Sequence, residues 1–384
     1  MAGTIEVNEG ALGDDPKGAR GPGGGVLGRV WKGAVEGIGP VVLALIAGGL
    51  LLLVLGRDPI SFYGHIVRAG LVNKSGLQDT VIRMAPLLLM AGGLIVAFQG
   101  GIWNIGGDGQ FLMGAALAAG FGPAFMAAMP VWSSLFLLCV IGTIAGGLLT
   151  IIPAVLKARY GVNEIISSLM MSFIGINLAN LLIKGPFRST KTLVPQTDVV
   201  PFAKLLPPIP GTRIHVGIVV ALILIFLVYD VMKRTSLGLK LRLLGANPRA
   251  ARHAGLNNSR LIVGAFMVSG AFMGLAGSVE ILGVWGYMRA DWNPNFGLAL
   301  FALVFLARLN ALATIPLVGF YAAFSIGGHS AARAAGLPDD FMLIIIGLVL
   351  LFMALSEYLK ERRSGSSGLL LRVLRSLREL RTDE

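Results

Sequence analysis

The sequence predicts an all-α membrane protein, a polytopic helical bundle of about ten transmembrane helices with broken or re-entrant segments and both termini cytoplasmic. Three observations predict it. Of 384 residues, 55% are hydrophobic and 14% charged, where soluble domains run at about 45–50% and about 25%; the mean hydropathy is +0.78. Apolar runs of roughly 20 residues, long enough to cross the hydrocarbon core, recur along the chain. There are also 53 glycines. Several lie inside those runs, such as Gly146, Gly147, Gly274 and Gly277, where a missing side chain lets two helices approach closely.

Taken in order, residues 1–36 are Gly-rich and polar and read as a disordered cytoplasmic tail. They hold no apolar core followed by a small-residue cleavage site, so no signal peptide is assigned. The transmembrane domain is placed at 37–360, with spans at 38–55, 81–99, 108–127, 131–156, 163–183, 213–231, 260–284, 297–308, 311–328 and 341–359. The pair within 297–328 is short and interrupted at Asn310 and Pro316, and reads either as two short crossings or as one re-entrant hairpin. Residues 184–212, with Pro201, Pro207, Pro208 and Pro210 near their end and scattered charge, are the expected external loop. Residues 232–259 are too charged to cross and are the expected cytoplasmic loop. The C-terminal stretch 361–384 is basic; Leu370, Leu374, Leu377 and Leu380 fall on one helical face, which suits an interfacial helix on anionic lipid or a frayed basic tail.

The formal net charge of +12 is carried by particular loops. Lys233, Arg234, Lys240, Arg242, Arg249, Arg252 and Arg260 cluster in one loop, and Lys157 and Arg159 in a short turn. The positive-inside rule places both on the cytoplasmic side. The same rule accounts for the charge without any nucleic acid polymer as partner, and an even number of crossings follows. No GxxxxGK[ST], HExxH, GxSxG or paired Cys/His cluster occurs. Cys139 is single, so it makes no intramolecular disulfide, and it reads as a small buried hydrophobe. His65, His215, His253 and His329 are far apart in the chain. No catalytic residue, metal site or cofactor bound by this chain is expected.

The stretch 247–255 specifies a short helix. Asn247 is an N-cap residue, Pro248 suits the first position, Ala250, Ala251 and Ala254 give a small-residue face, and Gly255 suits C′. Such a face either lets another protein dock or belongs to an ordinary connection. Asn104, Asp108 and Gln110 sit in a Gly-rich break between two apolar runs, a pattern tolerated where backbone lines a water-filled cavity or is buried in protein. Asp108 reads equally as a cap of the helix that follows. Asn163 and Glu164 open another helix, where the dipole favours Glu164; beside Lys157 and Arg159 they suit a gate. Asn177 and Asn180 lie deeper and fit helix–helix hydrogen bonding. Glu280 is near the outer end of its helix, followed by Trp285, Tyr287 and Trp292, which suit either an interfacial belt or stacking on a nucleobase. Asn293, Asn295 and Asn310 offer amides to a polar solute or to local backbone.

These residues carry a resemblance. TSLGLKLRLLGANPRAARHAGLNNSR (235–260) resembles the coupling-helix loop of permeases in the ribose, branched-chain amino acid and nucleoside group of ABC importers, and 268–280 resembles the spanning helix that follows it. GIWNIGGDGQFLMGA (101–115) is similar to that group's F-N-I-G-x-E-G-Q signature, with Trp103 for Phe and Asp108 for Glu. KARYGVNEIISSLMMSF (157–173) is similar to K-A-x-x-G-V-N-E-V-I, and GPF…PQT (185–197) to its external loop. The last three resemble the nucleoside branch most. The likeness spans about 40–360. It implies a permease subunit in the cytoplasmic (inner) membrane, paired with a second permease, alike or different. Two ATPase subunits would hold ATP and magnesium and bind the coupling helices, and an extracytoplasmic lipoprotein receptor would deliver the solute. The solute would be a nucleoside, a ribose-like sugar or a branched-chain amino acid. Two other classes stay open: an ion-coupled secondary transporter using Asp108, Glu164 or Glu280 as relays, and a membrane enzyme on a lipid-linked substrate.

Overall fold

Short polar side chains punctuate the chain and set where each helix starts. Asp58 accepts hydrogen bonds from the backbone of Ile60 and Ser61, Asn163 from Ile165, Asn247 from Arg249 and Ala250, Asn257 from Arg260, and Asn310 from Leu312. Each pairs one or two of the amides that a helix N-terminus leaves without partners. Left-handed glycines close others: Gly161 (φ 67°) and Gly255 (φ 78°) follow helix ends.

The computed structural model describes residues 42–338, Gly39 and isolated positions between 341 and 356. The tails assigned to 1–36 and 361–384, and most of the span expected at 341–359, lie outside the described residues. The described chain is helical: α1 (Val42–Val54), α2 (Pro59–Val67), a π-helical turn (Arg68–Val72), α3 (Lys74–Gln99), α4 (Gly107–Ala128), α5 (Val131–Leu149), α6 (Ile151–Tyr160), α7 (Glu164–Lys184), α8 (Gly217–Arg234), α9 (Ser236–Ala246), α10 (Pro248–His253), α11 (Asn258–Glu280), a second π turn (Ile281–Trp285), α12 (Phe296–Leu306) and α13 (Ala311–Ala334).

Among the described residues six helical stretches are long and apolar enough to cross a membrane: Lys74–Gln99, Gly107–Ala128, Val131–Tyr160, Glu164–Lys184, Asn258–Trp285 and Ala311–Ala334. The count of about ten is therefore not reached among them, for local reasons. α8 has 18 residues, but Asp230, Lys233 and Arg234 occupy its last turns. α12 has only 11 residues, about 16 Å of helix and half a bilayer. The interrupted region 297–328 is thus one half-length and one full-length helix, and α13 runs through Pro316. The joint between them, Arg308 and Leu309, holds two successive residues at φ 51° and 56°. α2 and its π turn were not legible as separate elements, because the apolar residues around them are too few to span.

α11 is the axis of the bundle and packs against α3, α4 and α5. Glycines make this possible: a Cβ on Gly274 would strike the backbone of Gly142, one on Gly146 the backbone of Gly270, and one on Gly277 the carbonyl of Phe111. α3 is apolar nearly all round and buried from Ala85 to Phe98, as a helix enclosed by others must be.

Two ends of the bundle differ. At one, α9, α10, the α6–α7 turn and the α12–α13 joint gather; the Ser259 hydroxyl donates to Ala158 O across it (3.2 Å), and Gln99 Nε2 to Leu309 O (3.1 Å). This end carries Lys157, Arg159, Lys233, Arg234 and the basic residues of α9 and α10. At the other end the 184–212 segment folds over the 286–291 segment, with Thr197 N donating to Met288 O and Val200 N to Gly286 O.

Candidate functional site

The Gly-rich break between α3 and α4 closes on itself. Asn104 and Gln110 exchange both amide hydrogen bonds (3.0 Å each), Asn104 Nδ2 also donates to Ser269 Oγ (3.0 Å), and Gly106 N donates to Asn104 Oδ1. Ser168 and Ser172 of α7 accept from the backbone of Ile105 and Gly109. Asn104 and Gln110 are buried, at 0% and 1% exposure. They form a polar knot tying the break to α7 and α11, and their polar atoms serve one another. The glycines are needed because Gly106 and Gly109 lie against the backbone of Ser168 and Ser172.

Asp108 does something else. It is half-buried in the first turn of α4, yet it accepts from Gly297 N (2.9 Å), the second residue of α12. The carboxylate therefore caps the half-length helix rather than its own, against the positive end of that helix. Asn295, which precedes α12 in the left-handed region (φ 53°), makes no cap itself.

Around this contact the structure gathers residues from five elements. The Arg83 guanidinium of α3 lies over the Phe296 ring at 5.3 Å. Arg83 also interacts electrostatically with Glu280 and with Tyr321 of α13, and Asp108 with Tyr321. Glu280 is 3% exposed and accepts from the Trp285 indole N–H (3.1 Å). The π turn Ile281–Trp285 brings that indole back toward its own helix. Trp285 meets Trp292 edge-on (6.0 Å), and Trp292 lies 6.1 Å from Phe111. Trp285 and Trp292 thus form one cluster with Phe111 of α4 and Glu280 of α11. Trp285 stays 42% exposed.

A second aromatic group lies toward the basic end. Phe98 stacks on Phe305 (4.8 Å), Trp103 on Phe305 (5.2 Å), and Phe98 also meets Trp103 and Phe301. It closes the space between α12 and the α3–α4 break.

Other residues singled out from the sequence fall elsewhere. Glu164 pairs with Lys157 (2.7 Å) and staples α6 to α7, while Asn163 caps α7. Asn177 is exposed and donates to Phe173 O of its own helix, so it bridges no helix pair. Asn180 accepts from Asp291 N and anchors the 286–291 segment. Asn293 and Asn310 serve local backbone. α10 forms with Asn247 as cap and Pro248 at its first position. Ala250, Ala254 and Gly255 are exposed, but Ala251 is 2% exposed and turned inward, so it is not part of the outward small-residue face. Arg83 and Tyr321 were missed in the sequence. Arg83 had a signal: it is an arginine just ahead of a long apolar run, where an ionisable group is costly enough to suggest a role. Tyr321 had none.

His215, in the segment before α8, is buried against Gly217 and Gly283. Its Nδ1 accepts from Gly217 N (3.1 Å), which leaves the proton on Nε2, an atom with no partner among the described residues. Burial pushes its pKa down to about 4.

Comparison with known proteins places this architecture. Residues 76–354 match the family model described as branched-chain amino acid transport system / permease component. The chain is 34% identical over 337 residues to the glucose ABC transporter permease protein TsgB13 of Haloferax volcanii, covering 85% of this chain and 88% of that one. It is 29% identical to the guanosine ABC transporter permease protein NupP of Bacillus subtilis (82% and 91% covered). It is 25% identical to the nucleoside ABC transporter permease protein NupB of Lactococcus lactis subsp. cremoris (82% and 88% covered).

Proposed function

This chain belongs to the branched-chain amino acid transport system / permease component family, a multi-pass inner-membrane ABC permease, and from that premise we propose that it imports a nucleoside. In this reading separate ATPase subunits bind ATP and drive alternating access, a second permease subunit completes the path, and an extracytoplasmic receptor supplies the solute. Membership in an ABC family sets aside the ion-coupled transporter and the membrane enzyme. The basic end then faces the cytoplasm, and α10 offers Ala250, Ala254 and Gly255 to the ATPase.

The observation that carries the solute reading is the Arg83–Asp108–Glu280 group beside Trp285 and Trp292. A nucleoside presents a flat π-face and a ring of hydroxyls. An indole stacks on the first; carboxylates accept from the hydroxyl O–H groups and a guanidinium donates to their oxygens. The half-length α12, capped by Asp108 and packed on α3 and α13, is the element suited to rocking as the path switches sides. Stacked Phe98, Trp103 and Phe305 would seal the cytoplasmic side of that path. Asn104 and Gln110 hold the break rigid, and Glu164 fixes the α6–α7 turn.

A sugar is the second reading, favoured by the 34% identity to a glucose permease. Aromatic faces and carboxylates also bind a hexose. Uptake by cells expressing the chain with its ATPase and receptor partners separates the two. Labelled guanosine or uridine should accumulate, stop on ATP depletion and continue when the proton gradient is collapsed. Glucose uptake without nucleoside uptake would replace the first reading with the second. Loss on collapsing the gradient alone would overturn both.

A further inference from the structure

α11 contains four glycines, and one of them meets no neighbour among the described residues. Gly270, Gly274 and Gly277 each abut the backbone of a neighbouring helix, whereas a Cβ on Gly264 would meet nothing within 4 Å. A glycine inside a helix is unfavourable relative to alanine. At Gly264 that cost leaves open space, and the space belongs to a groove of about 320 Å³ between α8, α9 and α11. Its wall is aliphatic and aromatic: Leu227, Val231, Leu237, Val268 and Phe272. The one ionisable side chain in the lining is Arg260, in the first turn of α11. Arg260 is exposed and forms no ion pair among the described residues; neither do Lys240 and Arg242 on the neighbouring α9.

We infer that this groove is a binding site for an anionic glycerophospholipid, with an acyl chain along Gly264 toward Phe272 and the phosphate on Arg260. Two features together select this occupant. From Arg260 to Phe272 the α11 wall runs about 18 Å, apolar and open to the side, which suits an alkyl chain and offers nothing polar to a peptide or solute. At its mouth stands a guanidinium, whose fork of donors matches a phosphate. It is set in the basic end of the bundle, where positive side chains between spanning helices meet anionic headgroups. The inference does not depend on which solute is carried.

The test uses the full chain purified in detergent and stripped of lipid, with its thermal unfolding midpoint read on adding lipid. Phosphatidylglycerol should raise the midpoint by a few degrees, phosphatidylcholine of the same chains less, and inorganic phosphate not at all. Arg260→Gln should bring phosphatidylglycerol down to the level of phosphatidylcholine. Gly264→Leu, whose Cβ meets no atom within 4 Å and whose side chain extends into the groove, should abolish the response to both while leaving the lipid-free midpoint no lower. Equal protection by both lipids in the unaltered chain would overturn the headgroup assignment. A phosphatidylglycerol response surviving both substitutions would place the lipid elsewhere and overturn the site. A response to phosphate alone would reduce it to a surface anion effect.

Discussion

Asn104 shows how one side chain holds a break in a membrane protein. Its amide makes four hydrogen bonds, to Gln110, Ser269 and Gly106, at a fully buried position. Asn104→Ala strands Gln110 and Ser269 as buried polar groups, each worth about 1–3 kcal/mol when left unmade. The unfolding midpoint of Asn104→Ala should therefore fall sharply. Adding Gln110→Ala should cost less than it does alone, since the two share one network; strict additivity would mean the knot is not a unit. His215 makes a prediction of opposite origin. The folded ring titrates near 4 while the unfolded ring titrates at 6.5. As pH falls through 6.5 the unfolded chain takes up a proton and the folded chain does not. Stability is full above 6.5 and declines down to about pH 4, by on the order of 3 kcal/mol. His215→Phe keeps the ring and removes the titration, so its midpoint should hold over that range. A parallel decline in both proteins would assign the acid sensitivity to other groups.

At the scale of elements, the sequence announced what local chemistry decides and missed what packing decides. The α10 helix was legible because Asn247, Pro248 and Gly255 are a cap, a first residue and a C′ glycine in order. Its inward face was not: three alanines look alike in sequence, and only the bundle beneath turns Ala251 inside. That difference separates folding from docking. Ala250→Glu should leave the unfolding midpoint unchanged and abolish uptake, whereas Ala251→Glu should lower the midpoint itself. Unimpaired uptake by Ala250→Glu would remove α10 as the ATPase contact. Asp108 is similar. Its place in a first turn suggested a cap for α4, but the structure spends it on α12, across 189 residues of chain. Asp108→Asn retains an acceptor for Gly297 N and should keep stability near that of the parent. Asp108→Ala loses the cap, at about 1 kcal/mol. If uptake fails in Asp108→Asn while stability holds, the charge itself serves the solute.

For the whole molecule, hydropathy identified the class and most of the apolar segments, since 20-residue apolar runs have no other use. It left open whether the short 297–308 run crosses, and α12 there has 11 residues. It also could not assemble the Arg83, Glu280, Trp285 and Tyr321 group, because those residues meet only when α3, α11 and α13 pack together. The asymmetry of charge is a property at this scale too, and it fixes an orientation that can be measured. The basic end should face the cytoplasm and the 184–212 segment the outside. The chain has one cysteine, so Cys139→Ala gives a background on which single cysteines report their side. Leu193 is 97% exposed in the 184–212 segment, and Ala250 is exposed on α10. Leu193→Cys should react with a membrane-impermeant maleimide in intact cells, and Ala250→Cys only after the membrane is opened. The reverse pattern would invert the protein, put α10 out of reach of any cytoplasmic ATPase, and remove the import mechanism with it. Labelling of both from outside would mean an even number of crossings between residues 193 and 250, so that α8 is not the single span that joins them.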